Sequence, residues 1–320
     1  MRQAGTHPGE RPPHAPELGW SARLLGRFHL TGIFWYRFNR WLVTAAPDWL
    51  MAPLIAFMTP FAYAFLVRVR RAIGANLAAA LGPAGFFERQ RRCLRTIRTF
   101  GMCLIERYER FSTDRPFAVE VEALENWRAV AESGRGFVMV TAHLGLYEAG
   151  SMVPVAKEAR RVHLVREPEL DPRAQAFIEE TVAAVQGANY RMHFQTGDPM
   201  QAMALVEALD RGEIVAVQAD RPHAGGKTVD ATLFGRPFPV PAGPAVLART
   251  ARVQMLPVFA LREGRRRFRV VFRPPIEVAR TADRGADLEA GMRRVAGEIE
   301  YAIRRAPEQW FVFRPLWPGG

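Results

Sequence analysis

Phe137-Val138-Met139-Val140-Thr141-Ala142-His143-Leu144-Gly145-Leu146-Tyr147-Glu148 is the stretch on which the fold turns. Its first four residues are an uninterrupted apolar run, too short for a helix. Such a run is the signature of a strand buried on both faces, as in a parallel sheet covered by helices. Thr141-Ala142-His143 ends the strand, and Gly145 permits a tight turn after it.

The pattern recurs outward from this strand. Val162 to Val165 is a second short strand ending at Arg166, and Ile214 to Val217 a third, led in by Arg211-Gly212 and ending at Asp220. Val119 to Val121 alternates apolar and acidic residues, as a half-buried strand does, and Asn126 to Ala131 follows as a short helix. Met255 to Leu261 and Phe268 to Phe272 read as a hairpin across Arg262 to Arg267. Helical patterns fall at Pro172 to Gln186, Pro199 to Leu209, Pro244 to Arg252 and Leu288 to Ala306. Strands separated by helices predict an α/β fold with a mostly parallel central sheet and helices on both faces. In such sheets ligands lie beyond the carboxyl ends of the strands. Three strands here end in a base, a cation and a carboxylate: His143, Arg166 and Asp220.

His143 and Glu148 stand five residues apart. On one regular helix that separation leaves them roughly 140° apart, so they meet only if His143 lies in the turn and Glu148 in the first helical turn. Glu148 then orients one ring nitrogen and the other accepts a proton, which is a general base with an orienting carboxylate. Such a pair suits proton removal from a hydroxyl attacking an acyl carbonyl, with backbone N–H groups at the helix start receiving the oxyanion. No Gly-x-Ser-x-Gly elbow, His-Glu-x-x-His, Cys-x-x-Cys, P-loop or Gly-x-Gly-x-x-Gly turn is present, and the remaining histidines lack metal-ligand spacing. No metal or cofactor is indicated.

The amino-terminal third is different. Residues 1–18 are Pro- and His-rich with almost nothing apolar and read as a flexible tail without a secretory signal. Trp49 to Val67 is a run of 19 uncharged residues interrupted by Pro53 and Pro60. That length is at the threshold for a membrane span. Trp35, Trp41 and Trp49 at one rim, Arg37 and Arg40 before it and Arg68, Arg70 and Arg71 after it suit an interface anchor; a helical hairpin buried in a soluble core is the alternative. Phe86 to Phe111 reads as a long helix, apolar at Phe87, Leu94, Ile97, Phe100, Leu104 and Tyr108, with Arg91, Arg95 and Arg98 on another face. The organisation expected is a tail (1–18), a helical membrane-associating region (19–112) and an α/β core (113–320).

Composition bounds the function. The 320 residues are 49% hydrophobic, which excludes disorder as the main state, and two cysteines ten residues apart, Cys93 and Cys103, do not make a disulfide scaffold. The net charge is +12, carried almost wholly by arginine because Lys157 and Lys227 are the only lysines. An anionic partner is expected: nucleic acid, an acidic membrane surface or a phosphorylated substrate.

The chain resembles the bacterial lipid A biosynthesis (lauroyl and myristoyl) acyltransferases of the lysophospholipid acyltransferase-like superfamily. Their His-x4-Asp/Glu hallmark at a strand end is matched by His143 and Glu148, and Arg166 falls where the family has an arginine after the next strand. Arg71 to Leu77, Glu213 to Asp220, Leu233 to Pro237, Pro241 to Ala245, and Ala306-Pro307-Glu308-Gln309-Trp310 followed by Arg314 are similar to further family segments. The likeness covers roughly residues 30–317. It implies a membrane-associated enzyme on the cytoplasmic face of the cell inner membrane, taking an acyl chain from acyl carrier protein (or acyl-CoA) to a hydroxyl of a lipid A precursor. By the resemblance His143 is the base, Glu148 its partner, Arg166 and Asp220 supporting residues and Arg236 a contact for an anionic glycolipid or phospholipid. Arg221-Pro222-His223 after Asp220 is more basic than a lipid A enzyme leads one to expect, which leaves the acceptor open. A catalytically silent adaptor that binds anionic lipid is the competing class. Nucleic-acid binding rests on charge alone, without the interleaved aromatic and basic surface that base stacking needs.

Overall fold

The computed structural model describes residues 33–146, 160–169, 171–186, 189–195, 198–222 and 226–317. Strand β2 (Phe137–Thr141) lies inside a seven-stranded sheet of order β1-β9-β8-β2-β5-β3-β4. The other strands are β1 (Ala118–Glu122), β3 (Val162–Arg166), β4 (Tyr190–Phe194), β5 (Ile214–Gln218), β8 (Met255–Gly264) and β9 (Arg267–Phe272). All neighbours run parallel except the β8–β9 hairpin. The apolar run of β2 is explained by its pairing: Val138 meets Met255 on one side and Val215 on the other. Its alternate side chains enter two cores, Val138 and Val140 in one, Phe137 and Met139 in the other.

The helices on the two faces are α5 (Leu124–Ala131), α6 (Pro172–Gln186), α7 (Pro199–Asp210), α8 (Gly243–Ala251) and α9 (Arg284–Arg305), preceded by α1 (Ile33–Ala45), α2 (Asp48–Phe65), α3 (Val67–Leu81) and α4 (Phe86–Ser112). The expected tail lies outside the described residues, as does the segment after Leu146 that contains Glu148. The uncharged run is one helix that continues through Pro53 and Pro60 and ends at Leu66, where the chain turns into α3. It runs antiparallel along α4: Asp48 pairs with Arg115 near the end of α4, Ile55 packs on Gly101 at its middle, and the Tyr63 hydroxyl donates to Gln90 near its start.

Two elements lie where no strand was expected. β4 is short, and its alternation of apolar residues with Arg191 and His193 is too brief a signal to stand alone. β6 (Thr228–Leu233) and β7 (Arg236–Pro241) form a separate ribbon despite Pro237, Pro239 and Pro241. The three prolines occupy alternate positions, so the missing N–H groups all fall on one edge, and a two-stranded ribbon tolerates this. Phe234 and Gly235 at φ 56° and 71° close it as a tight turn.

The arginine-rich tip of the expected hairpin is docked on α4. Glu106 and Glu109 of α4 are fully buried. Glu106 accepts from Arg262 at 2.8 and 3.2 Å and from the Arg266 backbone N–H at 3.0 Å. Glu109 is surrounded by Arg115, Arg265 and Arg266, and Asp48 at the start of α2 joins the same arginines. Burial opposes ionisation of Glu109, but Arg265 and Arg266 outweigh it and hold its pKa below the ordinary glutamate value. A depressed pKa contributes stability that is present above the unfolded value of about 4.3 and lost as pH falls through the folded one. Glu109→Gln is therefore expected to destabilise by about 3 kcal/mol at pH 7, and the difference from wild type should shrink toward pH 3 in urea unfolding curves.

Candidate active site

The turn after β2 is fixed by what surrounds it. Gly145 has φ 58°, and a Cβ there would stand 2.1 Å from the Ala260 carbonyl oxygen, so only glycine fits. The Gly145 N–H donates to the Gln309 carbonyl at 3.0 Å, and the Leu146 N–H to the Ala260 carbonyl at 3.2 Å. The Phe311 N–H donates to the His143 carbonyl at 2.8 Å. On the adjacent strand the Ala219 N–H donates to the Thr141 carbonyl at 3.0 Å, which carries the β2–β5 ladder one step further and sets Asp220 beside His143.

The carboxylate on the His143 ring is Asp220. His143 Nδ1 lies 2.7 Å from Asp220 Oδ1, and the His143 backbone N–H donates to Oδ2 at 3.0 Å. The Trp310 indole Nε1–H also donates to Oδ2, at 3.1 Å. All three residues are buried, Asp220 completely. Burial by itself raises the Asp220 carboxyl, but the His143 ring and backbone N–H and the nearby Arg221 outweigh it and hold the group below the ordinary aspartate range. An ionised carboxylate only accepts, so Nδ1 carries the imidazole proton and Nε2 the lone pair. Asp220 thus stands closer to the chemistry than its expected supporting role. The expected Glu148 contact and the oxyanion donors at the helix start fall outside the described residues.

His143 lines a cavity of about 610 Å³ between the sheet and α4. Its floor includes Met192, Leu164, Ala216 and Met139, a row in register across β4, β3, β5 and β2. Phe100, Leu104 and Phe111 of α4 line it from the helix side. Charge is confined to Arg107 of α4 and to the loops after β3 and β5, where Arg166 donates to Glu169 at 2.7 Å and Arg221 to Glu167 at 3.0 Å. The chemistry that this permits is proton transfer at one end of a largely apolar slot.

Three of the five residues expected at the site therefore converge: His143, Asp220 and Arg166. Arg236 does not line the cavity; its guanidinium sits 5.9 Å from the Trp317 ring centre. Trp310 and Arg107 were not expected there. Trp310 carried one signal, since a buried indole N–H requires an acceptor. Arg107 carried none, because the face of α4 it occupies is defined only by the sheet beneath. A histidine pair, His163 near the start of β3 and His193 near the end of β4, is held together with Glu213 just before β5. Among the described residues no group of three or more His, Cys, Asp or Glu is placed to hold a metal ion. Because position 145 has no room for a side chain, Gly145→Ala is expected to cost about 2–3 kcal/mol in a thermal or urea melt.

Known proteins bear on this geometry. A search of curated proteins finds no match. Among solved structures the chain is similar to the 1-acyl-sn-glycerophosphate (LPA) acyltransferase PlsC from Thermotoga maritima. The TM-score is 0.37 and the identity 13%, over 82% of this chain and 97% of that one. The family model described as bacterial lipid A biosynthesis acyltransferase matches residues 22–318, nearly the whole sequence. With its strands, its histidine turn and its closing segment all inside that match, the chain belongs to the bacterial lipid A biosynthesis acyltransferase family.

Proposed function

We propose that the protein is a membrane-associated O-acyltransferase that moves a fatty acyl chain from an acyl thioester to a hydroxyl of a lipid acceptor, with His143 as general base. The donor is acyl carrier protein or acyl-CoA, and the acceptor an anionic glycolipid or phospholipid, in first place a lipid A precursor as the family name indicates. The observation that carries this reading is the buried His143–Asp220 pair at one end of an apolar cavity. Nε2 takes the proton of the acceptor hydroxyl as its oxygen forms a bond to the thioester carbonyl carbon. Asp220 stabilises the imidazolium so formed. Collapse of the tetrahedral intermediate breaks the C–S bond, and the imidazolium returns its proton to the departing thiolate, leaving an ester and a thiol. Glu148, from the same motif, is a second carboxylate for this histidine, and Arg166 and Arg221 present positive charge to an anionic group at the polar end. Arg236 lies outside the cavity and is assigned no part in the reaction.

Attachment is assigned to the cytoplasmic face of the inner membrane through α2 and its neighbours. Trp49, Phe57, Phe61 and Phe65 on α2 are exposed, as are Phe86 and Phe87 at the start of α4. α2 is long and apolar enough to cross a bilayer. It nevertheless lies along α4, whose Arg89, Arg91, Arg95 and Arg98 are exposed and belong in water or among headgroups. That neighbour favours a helix lying in the interface over one that spans.

Two experiments test the reading. His143→Ala is expected to abolish acyl transfer from a thioester donor while the protein stays folded, and Asp220→Asn to reduce it by about 10³–10⁴-fold; full activity of His143→Ala would overturn His143 as the base, and no thioester consumption by the wild type with any acceptor would leave the silent lipid-binding adaptor. Phe57→Ser combined with Phe61→Ser is expected to weaken binding to anionic vesicles by at least about a hundredfold, at roughly 1.5 kcal/mol per lost aromatic anchor, as read by co-sedimentation.

A further inference from the structure

The closing segment of the chain does more than complete the core. Residues 309–311 lie antiparallel against the catalytic turn itself: the Gly145 N–H donates to the Gln309 carbonyl, the Phe311 N–H to the His143 carbonyl, and Leu144 and Trp310 form a β-bridge. This short pairing is pinned on both sides. The Gln309 side chain accepts from the Arg262 N–H at 2.7 Å and donates to the Arg262 carbonyl at 2.8 Å. Beyond it, the buried Asn76 side chain donates to the Val312 and Arg314 carbonyls at 3.1 and 2.9 Å and accepts from the Leu316 N–H at 3.1 Å. The indole of Trp310 is thus held rigidly over the carboxylate of Asp220.

We propose that Trp310 is a positioning residue for the reaction: its indole N–H holds Asp220 Oδ2, so that Oδ1 stays on His143 Nδ1 and the ring presents Nε2 to the acceptor. The proposal rests on the acyl-transfer reading above and assigns to the closing motif a role that the motif alone did not reveal. The chemistry favours an indole here. Among the described residues Asp220 accepts three N–H donors, two from His143 and the third from Trp310, which makes Trp310 the donor from outside the histidine that fixes the carboxylate. An indole N–H is a donor that never accepts, so it cannot turn the carboxylate away or supply a competing acceptor for His143. Trp310 touches neither acyl chain nor acceptor; it does not line the cavity.

Without that donor Oδ1 no longer stays on Nδ1, so the imidazolium that forms in the reaction loses part of its stabilisation. Among the described residues the charged groups lining the cavity beside the pair are Arg221, which pairs with Glu167, Arg166, which pairs with Glu169, and Arg107; Trp310→Phe alters none of them, nor the proposed second carboxylate, Glu148. The test is Trp310→Phe in the full chain, read three ways. Expected are a fall in kcat of about tenfold to a hundredfold with both KM values unchanged, an acidic limb of the pH–rate profile displaced downward by about half a unit or more, and the same displacement in the NMR titration of His143. Phe234→Leu is the comparison, because it removes the ring packed 5.9 Å from Trp310 but keeps the N–H. It should lower the melting temperature without moving either titration. Should Trp310→Phe fail to fold, the wild type still decides: one of its seven tryptophan indole N–H signals should shift with the midpoint of His143. An unmoved titration in Trp310→Phe, or no indole signal following His143 in the wild type, overturns the proposal. The NMR arms need no turnover, so they judge Trp310 even if acyl transfer itself were disproved.

Discussion

A carboxylate with no exposed surface has to be surrounded by donors, and Asp220 gathers its donors from segments 77 and 90 residues away in the chain. Burying such a charge without them would cost several kcal/mol. This requirement ties together three pieces that are otherwise independent: the end of β2, the end of β5, and the segment after α9. β2 and β5 satisfy it by pairing in parallel with one further hydrogen bond past the strand ends. The closing segment satisfies it by laying Trp310 against the turn. Glycine at 145 follows from the same closeness, since β8 and the closing segment approach that turn from two sides.

A second set of buried charges does for the helical region what Asp220 does for the turn. Glu106 and Glu109 lie one turn apart on α4, and the β8–β9 hairpin tip brings Arg262, Arg265 and Arg266 to them. Asp48 shares those arginines, so the start of α2 is tied to the same place. α4 is thereby fixed over the sheet at a height that leaves the cavity open between them. The helix that covers the slot and the helix that presents its aromatic side chains outward are held by one cluster, so the exposed aromatic surface keeps a fixed relation to His143.

The sheet was legible wherever both of its faces are covered, because continuous apolar runs such as Phe137 to Val140 and Ile214 to Val217 leave no other assignment. Legibility failed where the period was too brief or composition disguised it. β4 is only five residues long, so its alternation of Tyr190, Met192 and Phe194 with Arg191 and His193 is too brief a signal to stand alone, and β7 carries a proline at every second residue, which ordinarily argues against a strand. At the site, position after a strand sufficed for His143, Asp220 and Arg166. It did not suffice for pairing: Asp220 is 77 residues from His143, and no spacing rule in one sequence connects them. Trp310 lay farther still, and its indole becomes informative only when its burial is known.

The arginine excess takes on a different meaning in this light. Many of the arginines are internal: Arg115, Arg262, Arg265 and Arg266 answer buried glutamates, and Arg166 and Arg221 are each paired with a glutamate at the cavity. Arginine suits such places better than lysine because its planar fork gives several donors in fixed directions and remains charged when partly desolvated. Those pairs are already counted in the net +12, so the excess lies on other arginines, among them the exposed Arg68, Arg71, Arg89, Arg95 and Arg98 of α3 and α4, beside the outward aromatic residues of α2. Positive side chains at the edge of an apolar patch suit the lipid surface proposed above better than they suit nucleic acid.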